Sequence, residues 1–385
     1  MKNRKLSLHN FCIVSASAAL LCFALICTAV RLYSCDTKDC FNTFAAQSTM
    51  PDGGSKYTPE KVTAPAAADN KSKKNVNNNV IINSPHPDEE SNASAEDNEV
   101  SGFESSTATD DEIAEYDREH EGEQQLPVLE FTSVQGDVAF AGVQVKNSAS
   151  TDIDIEEELS SRLGFTLTYD KSPQVLIYHT HTTESFLTYD TGYYYESFYP
   201  RSKDKTKNVC AIGEEIVRQL NADGITAIHD TTIHDDPSYT GAYYHSADTV
   251  NEYLKKYPSI KVVIDIHRDG IGTESGRSKP VCTVNGKKAA QFMIMAGYNC
   301  DDDPAFDDWE YNLRFALKLQ KTAVDMYPDL ARPLYFGDFV YNMDINTGSL
   351  LIEVGADSNT VEEVRYTGAL LGKIISQTLK KEKKS

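Results

Sequence analysis

The 385-residue sequence lacks cysteines at the spacing of a metal site or of a disulfide framework. Of its eight cysteines, three lie in one apolar run near the N-terminus, where they behave as small apolar residues. Cys35 and Cys40 could close a small loop, and the other three are scattered without a C-x-x-C pair. The cysteines therefore predict neither a disulfide scaffold nor a cysteine-based zinc site.

Clusters of lysine and arginine are also missing from most of the chain. The formal net charge is −21, and residues 86–125 carry fifteen Asp and Glu against one Arg, a net charge of −14. Because phosphate groups bind to clustered basic side chains, nucleic acid and anionic lipid headgroups are poor partners for this surface. The lysine-rich end at 380–385 is interpreted as a solvated tail.

Two common catalytic motifs are absent as well. Ser185 lacks the G-x-S-x-G context of a nucleophilic serine. The glycine-rich segment 269–276 lacks the Lys-Ser/Thr pair of a phosphate-binding loop, so it is interpreted as a mobile loop beside the candidate site.

One uncharged and mostly apolar run, residues 11–30, is long enough to cross a bilayer as a helix. Lys2, Arg4 and Lys5 precede it, so the bias of positive charge predicts a cytoplasmic segment at 1–10 and a body on the outer face. A cleaved signal peptide is the alternative, but its apolar core is usually only about 7–15 residues long. The run therefore predicts a retained transmembrane anchor at 11–32.

The chain beyond this anchor changes character twice. Residues 33–125 are rich in Pro, Ser, Asn, Asp and Glu, and this composition predicts a disordered acidic linker that buries too little apolar surface to fold. Alternating apolar residues and a short helical pattern predict a small N-terminal subdomain at 126–170. Residues 171–385 are predicted to form the main domain.

Strands and helices alternate in the main domain. Apolar strands are predicted at QVLIYHT, ITAIHD, KVVIDIH, QFMIMAG and SLLIEV, with helices following several of them. Gly224 is a typical helix stop, and Thr360 with Glu363 three residues later is a typical helix start. This alternation predicts an α/β fold with a mostly parallel, twisted sheet and helices on both faces.

Potential metal ligands follow three of these strands. His179 and His181 close the first strand, with Glu184 just beyond it; His267 and Glu353 each close a later strand. In open α/β sheets ligands bind outside the carboxyl ends of the strands, so these side chains are expected to meet. Imidazole and carboxylate groups are typical ligands of catalytic zinc.

The spacing predicts zinc ligands at His181, Glu184 and His267. The metal would polarise an amide carbonyl and acidify water, while Glu353 would be the catalytic acid and base. His179 and His181 share a strand face by the period of two, so either or both could reach the metal. His181 is preferred because Glu184 lies three residues after it. His179 stays a possible ligand, or a residue that contacts and orients the ligands.

Three long segments, VLIYHTHTTESF, YPSIKVVIDIHRDG and LLIEVGADSNT, resemble signature blocks of the stage II sporulation protein P family. The resemblance covers about residues 173–385, and the anchor with its acidic linker is similar to the layout of that family. It implies a relation to zinc-dependent N-acetylmuramoyl-L-alanine amidases and cleavage of the amide that joins the peptidoglycan strand to its stem peptide. Some endopeptidase activity on peptide cross-links is also implied.

The resemblance further implies action in forespore engulfment during sporulation, on the cell-wall face of the cell membrane. The implied partners are a lytic transglycosylase and a polytopic membrane protein. A zinc peptidase acting mainly on cross-links and a non-catalytic wall-binding scaffold are the alternatives.

The wider amidase superfamily is similar to this chain at His267 and at Glu353 with the trailing Ser358 and Asn359. Arg268 and Asn359, next to these residues, are predicted to bind substrate. The glutamate ligand of those amidases lies just before the first helix, where this sequence has RSKDKTKN and no Glu. Glu184 is the proposed substitute, in an H-x-x-E arrangement that is similar to zinc carboxypeptidases.

Overall fold

The computed structural model describes residues 108–273, 275–300 and 303–382, together with Val100 and Phe103. The predicted N-terminal segment, the anchor and most of the predicted linker lie outside the described residues. Within the described ranges, no helix has both the length and the apolar character that crossing a bilayer requires.

Thirteen strands form in the described part of the chain. They are β1 (Gln125–Phe131), β2 (Val138–Phe140), β3 (Val143–Asn147), β4 (Val175–Tyr178), β5 (Tyr193–Tyr195), β6 (Ala227–His229), β7 (Val262–Asp269), β8 (Gly272–Thr273), β9 (Gly276–Val284), β10 (Lys287–Ala290), β11 (Phe292–Gly297), β12 (Leu334–Gly337) and β13 (Ser349–Ala356). The α-helices of the same residues are α1 (Asp110–Glu119), α2 (Ile155–Ser160), α3 (Cys210–Ala222), α4 (Ala242–Lys256), α5 (Trp309–Met326) and α6 (Val361–Glu382).

The larger sheet has eight strands in the order β2-β3-β12-β11-β13-β7-β4-β6. Five of its seven neighbouring pairs are parallel; β2 with β3 and β11 with β13 are antiparallel. The predicted α/β fold with a mostly parallel sheet is therefore confirmed, and the five strands predicted from apolar runs are all present.

Successive side chains of each strand point to opposite faces, and both faces of this sheet are covered. Ile177, Ile264 and Ile352 have no exposed surface and belong to a core that includes apolar residues of α3, α5 and α6. On the opposite face, Val263 packs with Val250 of α4. Three helices thus cover one face, and α4 covers part of the other.

Residues 126–170 do not form the predicted separate subdomain. β1 pairs with β9 and β5 in a smaller sheet, whose order is β10-β9-β1-β5, while β3 pairs with β12 at the edge of the larger sheet. Val143, Val145 and Ile155 are buried in the main core. The prediction was wrong because so short a segment cannot bury a core of its own, and its strands extend existing sheets instead.

Residues 110–119, inside the predicted disordered linker, form α1. Thr109 caps this helix with a reciprocal capping box. Asp117 accepts hydrogen bonds from the hydroxyl groups of Tyr193 (2.6 Å) and Tyr195 (2.8 Å), so the helix is attached to β5. The linker prediction was wrong here because average composition does not detect this capped helix, whose contacts are with tyrosines about 75 residues later in the sequence.

Both predicted helix boundaries are confirmed. Gly224 has a φ of 79°, in the left-handed region that favours glycine, and it ends the turn after α3. The Thr360 backbone N–H donates to Glu363 Oε2 (2.9 Å), and the Glu363 backbone N–H donates to Thr360 Oγ1 (3.2 Å) at the start of α6.

Candidate active site

Four polar side chains lie together at the carboxyl ends of three adjacent strands. His181 and Glu184 follow β4, His267 lies in β7, and Glu353 lies in β13. The parallel register of β7 and β13 sets His267 beside Glu353. None of the four side chains is more than 3% exposed. The fold thus brings together the four residues that sequence spacing singles out.

The turn after β4 is fixed by two buried carboxylates. Asp265 accepts hydrogen bonds from the Thr180 backbone N–H (2.9 Å) and from its hydroxyl group (2.6 Å). Asp235 accepts from the Thr183 backbone N–H (3.2 Å) and hydroxyl group (2.6 Å). Because charge-assisted hydrogen bonds are the strong ones, the segment between these two threonines is held rigidly. His181 lies inside that segment.

Glu184, His267 and Asp265 form a chain of contacts. Glu184 Oε2 lies 3.6 Å from His267 Nδ1, and it accepts a hydrogen bond from the Arg268 backbone N–H at 3.2 Å. On the far side of the ring, His267 Nε2 lies 3.0 Å from Asp265 Oδ1. The His181 and His267 rings meet edge to face, with centroids 5.3 Å apart.

Unpaired polar atoms concentrate at this place. Nine buried side-chain nitrogen and oxygen atoms of the described residues have no hydrogen-bond partner, and four of them are His181 Nδ1, Glu184 Oε1, His267 Nε2 and Glu353 Oε2. His267 Nε2 is close to Asp265 but is not aligned for a hydrogen bond. Each orphaned buried polar group costs ~1–3 kcal/mol. Their concentration indicates a site for an ion or a polar ligand.

The donor types fit zinc. Two imidazole nitrogens and a carboxylate oxygen are the usual protein ligands of a catalytic zinc ion. The donor atoms of His181, Glu184 and His267 are less tightly grouped than those of His179, Cys210 and His229 or those of three carboxylates elsewhere in the described residues. Binding of one ion by all three residues therefore requires a rearrangement of their side chains.

Burial controls the charge of these groups. It raises the pKa of Glu184 and raises the pKa of Glu353 well above its usual range. It also lowers the pKa of His181 well below that of a free imidazole. The buried carboxyls are thereby pushed toward their protonated forms and the imidazole toward its neutral form.

His267 behaves differently. Burial alone lowers its pKa, but the Asp265 carboxylate, helped by Glu184 and Glu353, raises it overall to about 10. The negative potential of these carboxylates favours a cation at this position, and a metal ion would compete with the proton on His267.

Aromatic rings form the wall around His181. Tyr239 stacks on its ring, with centroids 4.2 Å apart and an interplanar angle of 6°, and Tyr243 meets it edge-on at 5.4 Å. The guanidinium group of Arg201 lies over the Tyr239 ring at 4.8 Å and pairs with Asp235 at 3.0 Å. Tyr239 is 40% exposed, so it separates the buried imidazole from solvent.

His179 points to the opposite face of the sheet. Its Nδ1 lies 3.0 Å from the carbonyl oxygen of Ile266, and its Nε2 lies 2.9 Å from His229 Nε2. The expectation that His179 and His181 share a strand face was wrong, because β4 ends at Tyr178 and the following turn reverses the alternation. His179 therefore belongs to a different cluster from His181.

The two predicted substrate-binding residues are buried. Both ends of the Asn359 amide are engaged in the turn before α6: Oδ1 accepts from the Ala356 backbone N–H, and Nδ2 donates to Glu363, each at 2.8 Å. Arg268 donates through its guanidinium group to the carbonyl oxygen of Pro200 at 3.0 Å. Substrate contact by these two residues stays a prediction, and their observed partners fix the local backbone.

Sequence reasoning missed two contributors to the site, Asp265 and Tyr239. Asp265 had a signal: it lies two residues before His267 on the same strand face, and a carboxylate within an apolar strand is costly unless it has a role. Tyr239 had none, because its stacking on His181 depends on the path of a loop.

The family model described as "Stage II sporulation protein P (SpoIIP)" matches residues 57–376. The chain belongs to the stage II sporulation protein P family. A curated relative, "Stage II sporulation protein P" of Bacillus subtilis (strain 168), is 29% identical over 215 residues, which are 53% of this chain and 50% of the relative. The chain thus matches about half the length of that member of the family.

Three solved structures have distant similarity to this member of the family. They are "N-acetylmuramoyl-L-alanine amidase AmiC2 of Nostoc punctiforme" (13% identity, TM-score 0.33), the N-acetylmuramoyl-L-alanine amidase from Clostridium difficile 630 (17%, 0.34) and the CwlD amidase from Clostridioides difficile in complex with the GerS lipoprotein (12%, 0.34). Each match covers 55–56% of this chain and 98–99% of the solved chain. TM-scores this low do not establish a shared fold.

Proposed function

We propose that this protein is a membrane-anchored zinc hydrolase that cleaves the N-acetylmuramoyl-L-alanine amide of peptidoglycan. The observation that carries the proposal is that His181, Glu184, His267 and Glu353 are all buried at one edge of the sheet, each with a side-chain atom that has no hydrogen-bond partner. Membership of a sporulation protein family supports a substrate in the cell wall.

Each of the four residues has a distinct task in this proposal. His181, Glu184 and His267 hold a zinc ion, which when bound would supply a Lewis acid for the scissile carbonyl and would acidify water. Glu353 accepts a proton from the attacking water and then delivers it to the leaving amide nitrogen. Burial raises the pKa of Glu353 well above that of an exposed glutamate, which is the direction that suits a carboxyl that must hold a proton and then deliver it.

The surrounding residues orient the reacting groups and limit the access of water. Asp265 holds the His267 ring from the side opposite Glu184. Tyr239 covers the outer face of His181, and Tyr243 lies against the edge of the same ring. Substrate would therefore approach past Tyr239 and Arg201, beside α4.

The same proposal places the protein at the cell membrane. The apolar run at 11–32 would anchor it as a single-pass protein, with the body on the cell-wall face. Its setting would be forespore engulfment, in a complex with a lytic transglycosylase and a polytopic membrane protein. The family match supports the sporulation setting.

Digestion of purified peptidoglycan tests the proposal directly. We expect the full chain to release stem peptides with a free N-terminal L-alanine, a chelator to abolish this release, and added zinc to restore it. Mass spectrometry of the soluble products is the measurement. Split cross-bridges with intact muramoyl amides would instead identify a zinc peptidase, and binding without soluble products would identify a scaffold; either result contradicts the proposed amidase.

We expect Asp265→Asn to raise the zinc concentration that half-restores hydrolysis by the chelator-treated protein ~10–100-fold. The amide keeps the shape of Asp265 but removes the negative charge that orients and polarises His267. The measurement is a zinc titration of activity. Asp235→Asn is the matched control, because Asp235 also holds the turn through Thr183 but does not contact His267. Equal effects of the two substitutions would contradict the assigned role of Asp265.

A further inference from the structure

A second group of potential metal ligands lies on the other face of the large sheet, under α3. Its members are His179, Cys210 and His229, and one ligand atom of each lies within 4.8 Å of the others. They come from the turn after β4, the first residue of α3 and the end of β6. His179 and Cys210 are at most 2% exposed, and the His229 side chain is 8% exposed.

The outer nitrogens of both imidazole rings face acceptors. His179 Nδ1 lies 3.0 Å from the carbonyl oxygen of Ile266, which can only accept, so this nitrogen carries the proton. His229 Nδ1 lies 3.5 Å from a carboxylate oxygen of Glu214. A carbonyl or carboxylate behind each imidazole is the arrangement that fixes the tautomer of metal-bound histidines.

The inner nitrogens of the two rings then face each other. With both protons on Nδ1, the two Nε2 atoms present lone pairs to each other at 2.9 Å. The other tautomer of His229 would turn a bare nitrogen toward the Glu214 carboxylate instead. Two lone pairs at this distance repel unless a cation lies between them, and that cation is either a shared proton or a metal ion.

Two features of α3 favour the metal ion. Cys210 brings a sulfur atom to the same place, and two imidazole nitrogens with a thiolate are a typical donor set for zinc and related ions. Gly213 follows one turn later, and a Cβ there would lie 2.4 Å from His229 Nε2 and 2.9 Å from His179 Nε2. Any side chain at this position would press on the two nitrogens, so the glycine keeps their surroundings free for a ligand.

We propose that His179, Cys210 and His229 form a second transition-metal site, of the zinc class, separate from the candidate active site. A metal ion bound there joins β4, β6 and α3 directly behind the turn that carries His181. The inference does not depend on the proposed hydrolase activity. The three proposed ligands are far apart in the sequence, so a search for C-x-x-C pairs does not find this site.

Cobalt titration tests this site, because the ligands proposed for the active site contain no sulfur. The protein is the full chain with Cys35→Ser and Cys40→Ser, freed of metal and titrated with Co²⁺. We expect a near-ultraviolet thiolate-to-cobalt charge-transfer band whose final intensity corresponds to one thiolate-bound cobalt ion per chain. The band should disappear in Cys210→Ser and in Cys210→Ala, where the second variant removes the sulfur without adding a buried hydroxyl group.

The matched control is Cys282→Ser. Burial raises the pKa of Cys282 to about 12, as it does for Cys210, but Cys282 is not in the cluster, so the band should persist. It should also persist in His181→Ala. Absence of the band when cobalt is bound, its retention without Cys210, or its loss in His181→Ala would overturn the proposal. If the protein without further substitutions shows the band but does not hydrolyse peptidoglycan, only the hydrolase proposal is refuted.

Discussion

We expect Glu353→Gln to lower the rate of peptidoglycan hydrolysis ~10²–10⁴-fold while the protein keeps its zinc. Glutamine preserves the shape of the side chain, but it can neither accept a proton from water nor deliver one to the amide nitrogen. Glu353 is also not one of the proposed ligands, so the metal content should not change. The measurements are the rate of stem-peptide release at saturating substrate and the zinc content of the purified variant.

Glu158→Gln is the matched control for this substitution. Burial also raises the pKa of Glu158, but this residue pairs with Arg314 (2.6 Å), away from the candidate site, so activity should stay at the level of the unsubstituted protein. If Glu353→Gln releases stem peptide at the normal rate, Glu353 is not the acid and base. If it loses zinc together with activity, Glu353 is a ligand instead.

Five of the eight strands of the large sheet could be predicted because their signal is local. β4, β7, β11 and β13, for example, are short apolar runs whose residues are buried on both faces, and the helix boundaries at Gly224 and Thr360 depend only on nearby residues. The smaller sheet has no such signal. β1 and β9 are parallel neighbours about 150 residues apart, and nothing local specifies that pairing.

The predicted site residues come together because parallel strands end at a common edge. That rule needs only the strand assignments, and it was sufficient for His181, Glu184, His267 and Glu353. It failed for His179, which continues the alternation of β4 and lies on the α3 face with Ile177, whereas the turn after Tyr178 carries His181 to the opposite face. Contacts that depend on the path of a loop, such as the stacking of Tyr239 on the ring of His181, also cannot be predicted from sequence patterns.

The acidic linker shows a different failure. Its composition predicts disorder on average, but one segment forms a helix with a capping box. The Asp117 carboxylate of that helix accepts hydrogen bonds from Tyr193 and Tyr195. Stability of that helix depends on docking against β5 and not on its own composition. A prediction from average composition cannot distinguish such a segment from its neighbours.

We expect Lys279→Met to lower the free energy of unfolding by ~3–5 kcal/mol, because it leaves a buried carboxylate unpaired. The Lys279 side chain is 1% exposed, and its ammonium group lies 2.7 Å from Glu363 and 2.7 Å from Asp190. Glu363 is itself buried and also caps α6, so the ion pair connects β9 of the smaller sheet with that helix. The measurement is urea unfolding followed by circular dichroism.

Lys288→Met is the matched control, since it removes a lysine that also pairs with Asp190 and with Glu130, each at 2.7 Å, while Lys279 lies 3.3 Å from the same Glu130. The Lys288 side chain is 40% exposed, and exposed ion pairs contribute only ~0.2–1 kcal/mol because water solvates the separated charges well. The difference between the two variants therefore measures the cost of leaving Glu363 buried without its cation. Equal losses would mean that Glu363 becomes protonated or hydrated once Lys279 is removed, and that the connection between β9 and α6 depends on apolar packing alone.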